Sequence, residues 1–175
     1  MALTKKGYGQ LELNQVAFRR DGRVEAQLPF SGDEGDTCEN GMILAVDKAN
    51  GKVEYAGGTI EGKLFGIVYT SEELYETGEG LKDFALKIEG GVVTGPNGYN
   101  VYPRIGYLAK GDRFTTNLID ETAKAAAVGV YGGVGAKGVI ALSETAPTAG
   151  PVLQIVEMTT MPDGQAAVKF VVIKD

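Results

Sequence analysis

Histidine is absent from all 175 residues. That removes the commonest general base and the commonest transition-metal ligand, and it excludes Ser-His-Asp and Cys-His catalysis. Cysteine occurs once, at Cys38, so no internal disulfide can form and folding in a reducing compartment is expected. With no histidine to activate it, Cys38 reads as a buried or inert thiol. No apolar run approaches the roughly 20 residues of a membrane-spanning helix. Met1–Gly9 is polar and glycine-rich, unlike a signal peptide. Lysine runs stop at Lys5-Lys6, and 17 basic residues face 23 acidic ones for a net charge of −6. Such a chain repels polyanions, which argues against direct nucleic-acid binding. Carboxylates are what remains for chemistry. Glu72, Glu73 and Glu76 cluster with the polarity of a solvated turn, and a glycosidase pair needs two acids facing across a cleft. The expectation is a protein that is not an enzyme, with no cofactor and no metal.

What is abundant is glycine, at 26 residues, with six prolines. That punctuation suits many short strands joined by tight turns, and Tyr, Phe, Val and Ile recur within the short runs, as strands prefer. The fold expected is mainly β: a single-domain sandwich or barrel over residues 10–175 with one short helix, preceded by a flexible arm, Met1–Gly9. The chain is organised around Val101–Asn117, which reads as two short strands punctuated by Pro103, Gly106 and the Gly111-Asp112 turn.

Cross-strand matching sets several registers. Leu11–Phe30 reads as a hairpin with the loop Arg20-Asp21-Gly22, setting Phe18 against Val24 and Val16 against Ala26. Gly41–Ala56 reads as a second hairpin with a loop from Lys48 to Gly51, pairing Val46 with Val53 and Leu44 with Tyr55. Lys63–Thr70, Gly80–Glu89 and Gly91–Thr94 read as strands, Ser71–Thr77 as a helical turn, and Gly95-Pro96-Asn97-Gly98 as a turn. Leu118–Val128, capped by Asn117, carries apolar residues at helical spacing and is the expected helix. Val152–Thr160 and Gln165–Ile173 form the clearest hairpin, around Pro162-Asp163-Gly164. It sets Glu157 opposite Lys169, Met158 opposite Val168 and Val156 opposite Phe170.

Three patterns invite a ligand. Asp33, Asp36 and Glu39 lie in an acidic loop, Ser31–Asn40, but without the spacing of a calcium loop, so a solvated loop is expected. Gly133-Val-Gly-Ala-Lys-Gly138 matches the dinucleotide fingerprint in letters only. The next residues, Val139-Ile-Ala-Leu142, read as strand rather than helix, and no βαβ unit surrounds the motif. Tyr99, Tyr102, Arg104, Tyr107 and Arg113 interleave aromatics with cations. In an acidic chain that suits a protein contact better than a single-stranded nucleic acid. Packing at a core edge and stacking on a glycan are the alternatives.

Four stretches together carry a resemblance. They are Gly7-Tyr-Gly-Gln-Leu-Glu-Leu-Asn-Gln-Val-Ala-Phe-Arg-Arg-Asp-Gly-Arg, Glu39-Asn-Gly-Met-Ile-Leu-Ala-Val-Asp, Pro103-Arg-Ile-Gly-Tyr-Leu-Ala-Lys-Gly-Asp-Arg-Phe-Thr-Thr-Asn, and Pro151-Val-Leu-Gln-Ile-Val-Glu-Met-Thr-Thr-Met-Pro-Asp-Gly-Gln. The chain resembles a family of small virion structural proteins of tailed phages and prophages of Gram-positive bacteria, most of all a head decoration (cement) protein. The resemblance implies a homo-oligomer bound through the major capsid protein to the capsid exterior, made in the host cytoplasm, with no membrane involvement. A tail or head–tail connector component and a carbohydrate- or receptor-binding module are the alternative readings. The expected partner-contact residues are Lys5, Lys6, Tyr8, Tyr99, Tyr102, Arg104 and Tyr107.

Overall fold

The structure, a computed structural model, describes residues 9–56, 63–70, 86–89, 92–94 and 102–175. It is mainly β, and two large sheets pack on each other as a sandwich. The larger sheet runs β1 (Leu11–Gln15), β11 (Arg113–Thr116), β16 (Ala166–Lys174), β15 (Val152–Thr160), β13 (Tyr131–Val134), β14 (Ile140–Ser143) and β12 (Ile119–Asp120). The second runs β2 (Val24–Glu25), β10 (Ile105–Gly106), β7 (Leu64–Val68), β5 (Ile43–Asp47), β6 (Lys52–Glu54) and β3 (Phe30–Ser31). A small third sheet joins β4 (Thr37–Cys38) to β8 (Leu86–Glu89) and β9 (Val92–Thr94).

Burial explains why β5 reads Ile-Leu-Ala-Val without the alternation of a half-exposed strand. Its first residue, Ile43, packs between the sheets with Phe114, Leu153, Ile155 and Phe170. Leu44 and Val46 point the other way, into a second cluster closed by Phe30, Cys38, Leu118 and the partly buried Val139. The six-stranded sheet is thus covered on both faces, which is what a continuous apolar strand requires.

The two hairpins with local turns form as expected. Val46 pairs with Val53 and Asp47 with Lys52 across the loop Lys48–Gly51, and the ladder stops at Glu54, short of a Leu44–Tyr55 pair. At the C-terminal hairpin, Glu157 faces Lys169 and Met158 faces Val168. Met161 N–H donates to the Gln165 carbonyl at 2.8 Å, closing Pro162-Asp163-Gly164, and Gly164 sits at φ +83°. One pair differs: Phe170 faces Ile155 rather than Val156. A bulge pushes Val156 outward, where it is 38% exposed, and delivers Ile155 to the core. The strands β8 and β9 also pair, Glu89 with Val92.

The N-terminal hairpin does not exist. Leu11–Gln15 pairs with β11, Val24–Glu25 pairs with β10 in the other sheet, and Phe18–Asp21 between them is the one α-helical turn among the described residues. The reason is Phe18. Its ring is fully buried against Gly106, where a Cβ would come within 2.4 Å of it, and it tilts against Tyr69 at 5.0 Å between centroids. Gly22 takes the left-handed conformation as expected, φ +68°, but as the helix C-cap. Asp112, only 5% exposed, ties this turn to the central stretch: its carboxylate accepts from Ala17 N at 2.7 Å and Ala109 N at 2.9 Å.

The helix expected over Leu118–Val128 is absent. Ile119–Asp120 forms a parallel pair with β14 instead. Asp120 Oδ1 accepts from Thr122 N at 2.8 Å and Glu121 Oε1 accepts from Ala126 N at 2.7 Å. These local bonds compete directly with helical ones, and Leu118 is drawn into the loop-side core. The turns expected at Ser71–Thr77 and Gly95–Gly98 lie outside the described residues.

Candidate partner-contact site

Tyr102, Arg104 and Tyr107 flank the two-residue strand β10, and alternating burial divides them. Pro103 and Ile105 are buried while Tyr102, 51% exposed, and Arg104 stand outward on one face. Tyr107 falls on the opposite face with Ile105, against the loop-side core, beneath the Lys48 ammonium at 5.4 Å from its ring. The interleaved set is therefore two places rather than one. Arg113, exposed on β11, lies in the other sheet. Lys5, Lys6, Tyr8 and Tyr99 lie outside the described residues.

The strand next to β10 adds to the outward pair. Tyr69 N–H donates to the Arg104 carbonyl at 2.9 Å. Burial pushes the Tyr69 phenol up from its ordinary value, and the Arg104 and Arg19 charges oppose that shift. Tyr69, Arg104 and Arg19 thus make an aromatic and guanidinium surface at the end of β7 and β10, with Tyr102 exposed two residues before Arg104. Such residues dominate protein-contact energetics because they offer large area with directional polar groups.

A second feature was not legible as a site. Four stretches far apart in the sequence converge on one polar clasp. Gly9 N–H donates to Glu39 Oε2 and Gln10 N–H to Asn117 Oδ1 at 2.7 Å. Thr116 Oγ1 donates to the Gln10 carbonyl at 2.7 Å, and Gln10 Nε2 donates to Asp163 Oδ2 at 2.9 Å. Asn117 Nδ2 completes the set by donating to Gln165 Oε1 at 3.3 Å. Glu39, Thr116 and Asn117 are all buried. Gly41 is required there, since at φ +92° its Cβ would lie 2.5 Å from Thr116 Oγ1. The clasp fixes Gly9 and Gln10, the first of the described residues. In sequence, its one signal was a polar run, Thr115-Thr116-Asn117, at the end of an otherwise buried strand.

Beside the clasp the acidic loop is only partly solvated. Asp33 and Glu34 are exposed, but Asp36 and Glu39 are turned inward at 7% exposure each. Lys137 Nζ donates to Asp36 Oδ1 at 2.8 Å and Asp33 N–H to Oδ2 at 2.9 Å. The Lys137 ammonium is the main reason the Asp36 carboxyl lies below its usual range. Among the described residues no three acidic, cysteine or histidine side chains converge as a metal site would need. Lys137 sits in a tight left-handed turn, φ +51°, at the end of the glycine-rich motif, where a dinucleotide site would place a helix. Burial pushes the Cys38 thiol well up, so it stays protonated and inert as expected. No helix among the described residues is long and apolar enough to cross a membrane. No protein-family model, curated protein or solved structure matches this chain.

Proposed function

We propose that this protein is a virion structural component, a decoration protein that binds the major capsid protein on the outside of a phage head and acts without catalysis. The observation that carries this reading is the clasp. Three other stretches, reaching as far along the chain as Asp163, give polar partners to Gly9 and Gln10, the buried Glu39 and Asn117 among them, and so hold the root of residues 1–8. A domain gains little from fixing the root of a segment unless the segment is used. Residues 1–8, with Lys5, Lys6 and Tyr8, then add to an exposed edge of the shell or of a neighbouring copy, while Tyr102 and Arg104 supply a side-chain contact. Each contact is weak, and repetition around a closed lattice makes the whole strong. Because such contacts exist only in the assembled shell, they stabilise it by mass action against internal pressure. The net charge of −6 favours the exterior, since an interior position sets carboxylates against packaged phosphate.

The test is deletion of residues 2–8. Because Gly9 and Gln10 remain, melting of the free domain should be unchanged, whereas occupancy on capsids should fall. Full occupancy by the truncated protein would overturn the role given to these residues. Biotin labelling of intact, DNA-filled particles checks the position: a protein that labels only after the shell is opened is not external.

A further inference from the structure

A cavity of about 770 Å³ opens at the end of the sandwich marked by the β5–β6 turn, away from the aromatic and guanidinium surface. Its walls come from that turn, from β7, from the segment after β10, and from the paired ends of β15 and β16. Their charge runs against that of the chain. Arg23, Lys48, Lys63 and Lys174 line it, and Asp175 is the one carboxylate among the lining residues. In a protein of net charge −6, this gathers cations at one place.

Two of these cations are already ion-paired, and the Lys48 ammonium lies 5.4 Å from the Tyr107 ring. Lys63 reaches Glu54 at 3.3 Å, and Arg23 lies 3.8 Å from Asp21. Lys48 and Lys174 are exposed, and neither has an ion-pair partner among the described residues. Much of the remaining wall is apolar, with Phe65, Leu108 and Pro151 beside Tyr107 and Thr148, and Leu64 is left 53% exposed. An exposed leucine on the rim of a cationic cavity is a mixed surface, suited to a ligand that carries both charge and hydrocarbon.

We infer that this cavity binds an acidic peptide segment of a partner protein, its carboxylates answering Lys48 and Lys174 and an apolar side chain lying on Leu64. A free inorganic anion would satisfy the lysines but leave Leu64 in water. A nucleic acid would have to continue from the cavity onto a surface whose overall charge repels it. A peptide that alternates acidic and apolar residues satisfies both parts of the wall within the cavity. The inference stands independently of the decoration reading, because it rests on this cavity alone.

The probe is a short fluorescein-labelled peptide alternating Glu and Leu, monitored by anisotropy, with a Lys-and-Leu peptide as control. Saturable binding of the acidic peptide alone is expected, weakening several-fold between about 50 mM and about 300 mM salt as screening grows. Lys48→Glu with Lys174→Glu should weaken it by about tenfold or more. Lys124→Glu, outside the cavity, should bind as wild type. If the double reversal melts early, Lys48→Gln with Lys174→Gln replaces it, with at least a several-fold loss expected. Absence of saturable binding, equal loss in Lys124→Glu, or displacement by inorganic phosphate at the peptide's own concentration would each overturn the inference. So would self-association of the wild type that the double variant abolishes, since the cavity would then be an interface between copies.

Discussion

The six-stranded sheet is buried on both faces, but by different kinds of cover. One face meets the seven-stranded sheet through hydrocarbon: Phe18, Ile43 and Ile67 against Phe114, Leu153 and Phe170. The other meets connecting segments, where Phe30, Cys38, Leu118 and Val139 lie over Leu44 and Val46. The loop cover is tied down by polar bonds, including Tyr55 Oη donating to the Thr37 carbonyl and the Lys137–Asp36 pair. A sheet packed on a sheet is braced along its whole ladder. A loop is held at points, so it can adjust to a change beneath it and its hold depends on charge state.

Like substitutions on the two faces should separate these behaviours. Leu153 and Leu44 are both fully buried. Leu153→Ala should fall near the top of the roughly 2–5 kcal/mol range for such truncations, and Leu44→Ala near the bottom, because a loop collapses into a cavity more readily than a sheet. Denaturant titration measures both, and equal costs would erase the distinction. Gly164→Val comes next, at roughly 1–2 kcal/mol. Space is open around Gly164, but φ is +83°, so the cost is backbone strain in a left-handed turn. An unchanged midpoint would rule out that turn.

Acid should loosen the loop side first. The Asp36 carboxyl is depressed in the folded state by Lys137, so its stabilisation is fully present above the ordinary carboxylate value, about 3.9. It is lost as pH falls through the lower folded value. Hydrogen exchange around Gly35–Asn40 should therefore accelerate below about pH 4, while β15 and β16 stay protected. Simultaneous loss in both regions would contradict a separately held cover. The smallest effect expected is Tyr107→Phe. The Tyr107 hydroxyl is buried without a partner among the described residues. Removing it should leave stability unchanged or raise it by about 1 kcal/mol, and a clear loss in thermal melting would reveal a bond to that oxygen.

What could be read from the sequence divides along a related line. The turns at Lys48–Gly51 and Pro162–Gly164 join strands that pair with each other, so turn chemistry and cross-strand matching settled the register. Leu11–Phe30 carried the same signals around Asp21-Gly22, yet its pieces pair with the distant β11 and β10. Nothing local announces that Phe18 fills the space left by the missing side chain of Gly106. Leu118–Val128 had helical spacing, but Asp120 and Glu121 spend their oxygens on nearby backbone N–H groups. Tyr102 and Arg104, expected together, lie exposed two residues apart in the segment leading into β10. The clasp left only the polar run Thr115-Thr116-Asn117 as a local signal and the basic cavity left none, because both are assembled from distant segments.

The clasp also imposes an order in time. Gln10 leaves the ribosome early, but its bond partner Asp163 is 153 residues further along the chain. At roughly 5–20 residues per second, about 8–30 s of synthesis separate the two. Throughout that interval the root of residues 1–8 lacks its complete set of bonds. A polypeptide stalled or cut short before Asp163 has at most the bonds of Gly9 to Glu39 and of Gln10 to Thr116 and Asn117. Completion of the chain is thus what completes the set of bonds to Gln10.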